Sequence, residues 1–152
     1  VIINNHDVTE KIRSQEISSI VSSIASIEEV REFLVKEQRK IGDIGGIVAE
    51  GRDIGSKVFP QAELKIFLTA TINERAKRRK NELEAMGCGN INFEQLKNEI
   101  EKRDFDDSNR KISPLIKAKD AIEIISDGYT INQVVEKILE IYFETIPKEL
   151  QL

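Results

Sequence analysis

Gly46-Ile47-Val48-Ala49-Glu50-Gly51-Arg52-Asp53-Ile54-Gly55-Ser56-Lys57-Val58-Phe59-Pro60 is the stretch whose reading decides the fold. Ile47, Val48 and Ala49 form an apolar run between glycines and predict a short buried strand. The chain then turns abruptly to charge at Glu50-Gly51-Arg52-Asp53. In an open α/β sheet ligands sit beyond the carboxyl ends of the strands, where an Arg-Asp pair would offer a fork of donors and an acceptor. Gly51 and Gly55 let the backbone turn sharply or approach a ligand closely. The same residues also suit an ordinary strand exit with a surface salt bridge.

Working outward, other elements alternate in type. Leu64–Ala70 reads as a second short, apolar strand, and Ala121–Ser126 as a third. Val1–Ile3 reads as a strand closed by the polar turn Asn4-Asn5-His6-Asp7, where the only histidine is solvated rather than catalytic. Helices are expected over Glu16–Ala25, with Ile17, Ile20, Val21 and Ile24 on one face, and over Glu28–Lys40 behind the capping box Ser26-x-x-Glu29. The serines at 18, 19, 22 and 23 are neutral helix filler or a hydroxyl stripe meeting a polar ligand. Thr71-x-x-Glu74 opens a helix to Met86, broken by Gly87-Cys88-Gly89-Asn90, and another begins near Phe93 and runs to Arg103 or beyond. Thr130-x-x-Gln133 caps a last amphipathic helix reaching Thr145. Strands alternating with helices predict an α/β layer with a parallel sheet.

The 152 residues suffice for one domain with a real core. No apolar run approaches membrane-spanning length, and no signal-peptide pattern opens the chain. A single cysteine, Cys88, excludes an internal disulfide and makes a cytoplasmic setting the default. The net charge of −4 argues against general nucleic-acid binding. Lysine supplies 14 of the 23 basic residues, yet arginine is kept at Arg31, Arg52, Arg75/Arg78/Arg79 and Arg103/Arg110. Arginine's planar fork binds phosphate or carboxylate with two teeth, which lysine cannot copy; helix-surface ion pairs would need arginine less. Arg75, Arg78 and Arg79 are spaced to share one cationic helix face. No G-x-x-x-x-G-K-[ST] phosphate loop occurs. The chain is therefore expected to be a fragment, or not a nucleotide enzyme by itself.

Two charged stretches carry a family pattern. Ala49-Glu50-Gly51-Arg52-Asp53-Ile54-Gly55, with Val58-Phe59-Pro60 and Leu64-Lys65-Ile66-Phe67-Leu68, resembles bacterial cytidylate kinases. Arg103-Asp104 with Asp107, Asn109, Arg110 and Pro114-Leu115 does too. Asp7-Val8-Thr9, Ile12-Arg13, Val30-Arg31-Glu32 and Gln38-Arg39 extend the likeness along nearly the whole chain. The resemblance implies a P-loop nucleoside monophosphate kinase-like parallel sheet flanked by helices, incomplete at the N-terminus. It implies one domain, with residues 1–42 part of a monophosphate-binding insertion and 43–152 a core with a lid near 75–112.

The implied chemistry is phosphoryl transfer from ATP, with Mg²⁺, to CMP or dCMP. By the resemblance Ser22, Arg31 and Asp53 face the cytosine, and Arg103 and Asp107 hold the sugar. Arg52 and Arg110 meet the acceptor phosphate or base, while Arg75, Arg78 and Arg79 sit on the lid closing over ATP. No metal-ligating residue of the chain is implied. The implied partners are CMP, dCMP, ATP and the chain's own missing N-terminal segment, and neither nucleic acid nor a membrane. The family's donor cradle is missing from the sequence, so the competing expectation is a catalytically inactive nucleotide-binding or interaction module derived from such a kinase.

Overall fold

The structure, a computed structural model, describes residues 1–87 and 89–150. Cys88 and the side chain of Ser22, both singled out above, lie outside the described residues. The chain forms two compact units, Val1–Gly45 and Gly46–Leu152.

The first unit opens on a hairpin. Strand β1 (Ile2–Ile3) pairs antiparallel with β2 (His6–Asp7), Ile2 opposite Asp7 and Ile3 opposite His6. Asn4 and Asn5 make the turn at φ 49° and 63°. Asparagine tolerates that left-handed region, and two such residues in succession match the twist of a two-residue hairpin. The expected polar turn is thus shorter, and His6 lies in a strand. Helix α1 (Gln15–Ala25) starts where Ser14 accepts from the Ile17 N–H, and α2 spans Glu28–Gly42. The predicted Ser26 capping box does not form. Only two residues separate the helices, so Ser26 ends α1, its Oγ donating to the Ser23 carbonyl at 2.7 Å, and Ile27 takes the cap position of α2.

The second unit corrects the central expectation: residues 46–50 are not a strand. Ile47 is 42% exposed and Val48 fully so. A strand exists only through its ladder, and among the described residues no neighbour supplies one here. The sheet consists of β3 (Ile66–Thr69) and β4 (Ile122–Ile125), parallel, with Ile66 opposite Ile122 and Thr69 opposite Ile125. Ile124 is buried, but Leu68 and Ile125 are exposed, so these strands are not covered on both faces as predicted.

Helix α3 (Ile72–Ala85) leaves β3 directly and packs on α4 (Phe93–Asn109). Helix α5 (Ile131–Thr145) begins with a complete Thr130/Gln133 capping box. No helix of the described residues is long and apolar enough to cross a membrane. Val58, Ala76, Leu96, Ile124, Ile141 and Ile146 are the buried apolar residues that hold this unit together, with Ala70 beside them at the end of β3.

Thr71 has a double role at the start of α3. Its Oγ1 accepts from the Glu74 N–H at 3.3 Å, while its own N–H and hydroxyl donate to Asp127, just beyond β4. Those two bonds, the hydroxyl's first, hold the Asp127 carboxyl below its ordinary value of 3.8. A depressed folded pKa gives stability present above the unfolded value and lost as pH falls through the folded one. The melting-temperature advantage of wild type over Asp127→Asn should therefore be constant near neutrality and shrink on acidification below pH 3.8. An advantage independent of pH would remove the Asp127 charge from this account.

Candidate functional site

The site is built on the backbone that follows residue 50. Ile54–Val58 makes one π-helical turn: the Asp53 carbonyl accepts from the N–H groups of Lys57 (2.8 Å) and Val58 (3.2 Å). Val58, 1% exposed, roots the turn in the core. Gly51 is needed for packing, since a Cβ there would lie 2.8 Å from the Ile54 side chain. Gly55 lies over the stem of Lys65, whose Cγ and Cδ are 3.4 Å from where a Cβ would stand.

Lys65 is a buried lysine inside an apolar strand run, and its ammonium donates to the Pro60 carbonyl (2.5 Å) and Asp120 (2.6 Å). That hydrogen bond holds the Asp120 carboxyl below the ordinary range. A charge at such a position needs partners, which was the signal in the sequence that could have flagged it.

The helix expected from about Phe93 to Arg103 or beyond does continue past Arg103. The segment Arg103 through Arg110 forms the end of α4 and the residue that caps it. Three- and four-residue spacings then bring its charges together. Asp107, 3% exposed, is met at Oδ2 by Arg52 Nη1 (2.7 Å) and more distantly by Arg103 Nε (3.9 Å). Its Oδ1 meets Arg110 Nη1 at 3.4 Å, and Arg110 Nε donates to the Ser113 carbonyl. Ser113, at φ 49°, closes the loop leaving α4. Asp104 joins Arg52 Nη1 (3.3 Å) to Arg75 Nη1 (2.5 Å). These ion pairs set four guanidiniums against two carboxylates, an excess of positive charge suited to a dianion.

Of the residues proposed from sequence, Arg52, Arg75, Arg103, Asp107 and Arg110 are brought into one cluster, to which the structure adds Asp104. Asp53 is buried at the head of the π-helical turn. Arg31 lies half-buried on α2 in the other unit.

The three arginines of α3 do not share a cationic face. Arg78 grips Ser126 beyond β4, Nη1 to Oγ at 3.0 Å and Nη2 to the carbonyl at 2.5 Å, and its Nε pairs with Glu74. Arg79 pairs with Glu82 at the surface. Each guanidinium follows its nearest acceptor, a choice that spacing along one helix cannot reveal.

A groove of about 500 Å³ between the starts of α3 and α4, lined among others by Thr71, Lys77, Phe93 and Asp127, contains none of the proposed residues. Among the described residues no three His, Cys, Asp or Glu side chains converge to hold a metal ion.

The cluster can be tested without a ligand. Asp107→Asn strips a shared anion from three arginines in a nearly closed environment, and should lower unfolding free energy by about 1–3 kcal/mol. Arg110→Lys keeps the charge but cannot reach Ser113 and Asp107 together, and should cost about 1 kcal/mol. Urea unfolding measures both; wild-type stability in each would deny the network a structural role.

The sequence profile of the family described as cytidylate kinase matches residues 1–144. A protein named bifunctional pantoate ligase/cytidylate kinase from Prochlorococcus marinus subsp. pastoris is 70% identical over 152 residues, covering 100% of this chain and 30% of its own length. One of the same name from Trichodesmium erythraeum is 54% identical over 145 residues, covering 95% and 28%. The chain thus spans about 30% of the length of the curated relatives it matches first. The match along almost all of its residues, with the charged cluster inside it, establishes that the chain belongs to the cytidylate kinase family.

Proposed function

We propose that this chain carries the acceptor site and lid of a kinase that transfers the γ-phosphoryl group of ATP to CMP or dCMP in the cytoplasm. The observation that carries the reading is the cluster of Arg52, Arg75, Arg103 and Arg110 around Asp104 and Asp107. A nucleoside monophosphate presents a phosphate whose second pKa is about 6, so it is largely dianionic at neutrality. An oxygen of that phosphate attacks the γ-phosphorus of ATP, and the bond to the β,γ-bridging oxygen breaks. ADP leaves with the electron pair, and the other product is CDP or dCDP.

No general base is required, and catalysis consists of positioning and charge neutralisation. Arg52 and Arg110 take the acceptor phosphate or the base. Arg103 and Asp107 take the sugar, the carboxylate accepting from a hydroxyl. Asp53 accepts from the cytosine amino group, and by the family resemblance Arg31 and Ser22 also face the base. On lid closure Arg75 offers phosphate oxygens of ATP the donor that Asp104 leaves over, Arg78 and Arg79 exchange their present partners for such oxygens, and water is excluded. Mg²⁺ would arrive on the ATP phosphates; the described residues offer it no site of their own, and no step above is routed through it.

A second reading is an inactive nucleotide-binding or interaction module derived from such a kinase. Turnover separates the two. A longer protein containing this chain should make CDP from ATP and CMP, whereas residues 1–152 alone should not, and adding the remainder in trans should restore some activity. Activity of the isolated chain, free of longer species by mass, would defeat the acceptor-side reading. A longer protein that binds CMP without turnover would favour the inactive module.

Calorimetry on the longer protein should find CMP preferred over AMP and GMP, and Asp53→Ala should weaken CMP binding by about 1–3 kcal/mol. Unchanged CMP affinity in a folded variant would take Asp53 out of the base site.

A further inference from the structure

Asp104 is the one member of the charged cluster to which the family resemblance gave no role, and its geometry is specific. It stands on α4, 24% exposed, and reaches two other elements. Oδ1 meets Nη1 of Arg52, from the segment before the π-helical turn, at 3.3 Å; Oδ2 meets Nη1 of Arg75, from α3, at 2.5 Å. The oxygens of one carboxylate are nearly as close as two oxygens on one phosphorus. Two guanidiniums gripped this way are therefore held side by side at a spacing a phosphoryl group can also use. Without Asp104, Arg52 would keep Asp107 and Arg75 the Ala70 carbonyl, but nothing would tie the two mutually repelling guanidiniums to each other.

The bonds Asp104 makes leave donors over. It engages a single nitrogen of each arginine. Arg75 Nε is occupied by the Ala70 carbonyl at 3.1 Å. Among the described residues no hydrogen bond or ion pair uses Nε or Nη2 of Arg52, or Nη2 of Arg75. A carboxylate that anchors one corner of each fork and spares the rest is arranged to stay when an anion arrives. One that merely filled an empty phosphate site would cover the donors.

We infer that Asp104 is a positioning residue that locks Arg52, on the acceptor side, to Arg75, on the lid, so that both meet the transferring phosphoryl group together. The inference rests on the kinase reading above. A lock of this kind acts at the transition state, when the two nucleotides' phosphates converge, more than on either nucleotide alone.

The test uses the longer protein containing this chain, with CMP and ATP as substrates. Asp104→Asn keeps the shape and removes the charge. Its kcat should fall about tenfold or more with KM for CMP changed less than twofold, at a temperature well below the variant's melting point. Asp104→Glu, which retains the charge one methylene further out, should recover part of kcat, and it gives the same reading should the asparagine variant not fold.

Wild-type kcat in a folded asparagine variant would reduce Asp104 to a structural ion pair and overturn the inference. Tighter CMP binding with undiminished kcat would make it a competitor for the phosphate, and overturn it equally. A wild-type protein that phosphorylates no cytidine nucleotide overturns the kinase reading and this inference with it. Normal wild-type turnover beside an unimpaired Asp104→Asn overturns the inference alone.

Discussion

A carboxylate almost removed from water is the constraint on which the second unit's charged architecture depends. Asp107 is 3% exposed, and an ionised group there is tolerable only if cations are brought to it. Arg52 comes from the loop before the π-helical turn, Arg110 from the end of α4, and Arg103 from one turn back. The Asp107 backbone carbonyl also accepts from the Leu115 N–H at 2.8 Å, which folds the following loop against the helix. Desolvation of one side chain thus specifies where several arginines stand, and those are the arginines proposed to handle phosphate. The cost of burial and the proposed anion site involve the same contacts.

Local chemistry was the legible part of the fold. Thr71 and Thr130 cap their helices as their spacing predicts, because a hydroxyl three residues before a free N–H is a local event. Ser26 has the same spacing and fails, since it also completes the preceding helix and cannot serve both. Residues 46–50 fail for another reason. Ile47 and Val48 have strand-forming side chains, but a strand is a relation between two segments, and side-chain pattern carries only one of them. The unpaired stretch correspondingly leaves its apolar side chains at the surface.

The site was legible at the level of residue type and much less at the level of contact. Arginine's preference for forked acceptors marks Arg52, Arg75, Arg103 and Arg110, and the fold collects them. Their acids are harder to foresee. Asp104 pairs with arginines 52 and 29 positions away, not with a helical neighbour, so no spacing rule finds it. Arg78 is similar in sequence to its neighbours yet leaves for Ser126, whose Oγ is in turn fixed on the Thr69 carbonyl at 3.0 Å. Lys65 and Asp120 show the opposite case, a long-range pair that a charge in an apolar strand announces in advance.

The π-helical turn makes chain length itself a constrained variable. Within Ile54–Val58 the closing hydrogen bonds span five residues, so the segment holds one residue more than an α-turn would need. Val58 is anchored in the core at one end, and Asp53 and Arg52 are aimed from the other. Removing any one residue between them would tighten the turn and swing the arginine by about 100° around the helix axis. A deletion within the turn would mis-aim a guanidinium whose own codon is untouched. The turn thus constrains the number of residues between Asp53 and Val58 as firmly as it constrains which residues they are.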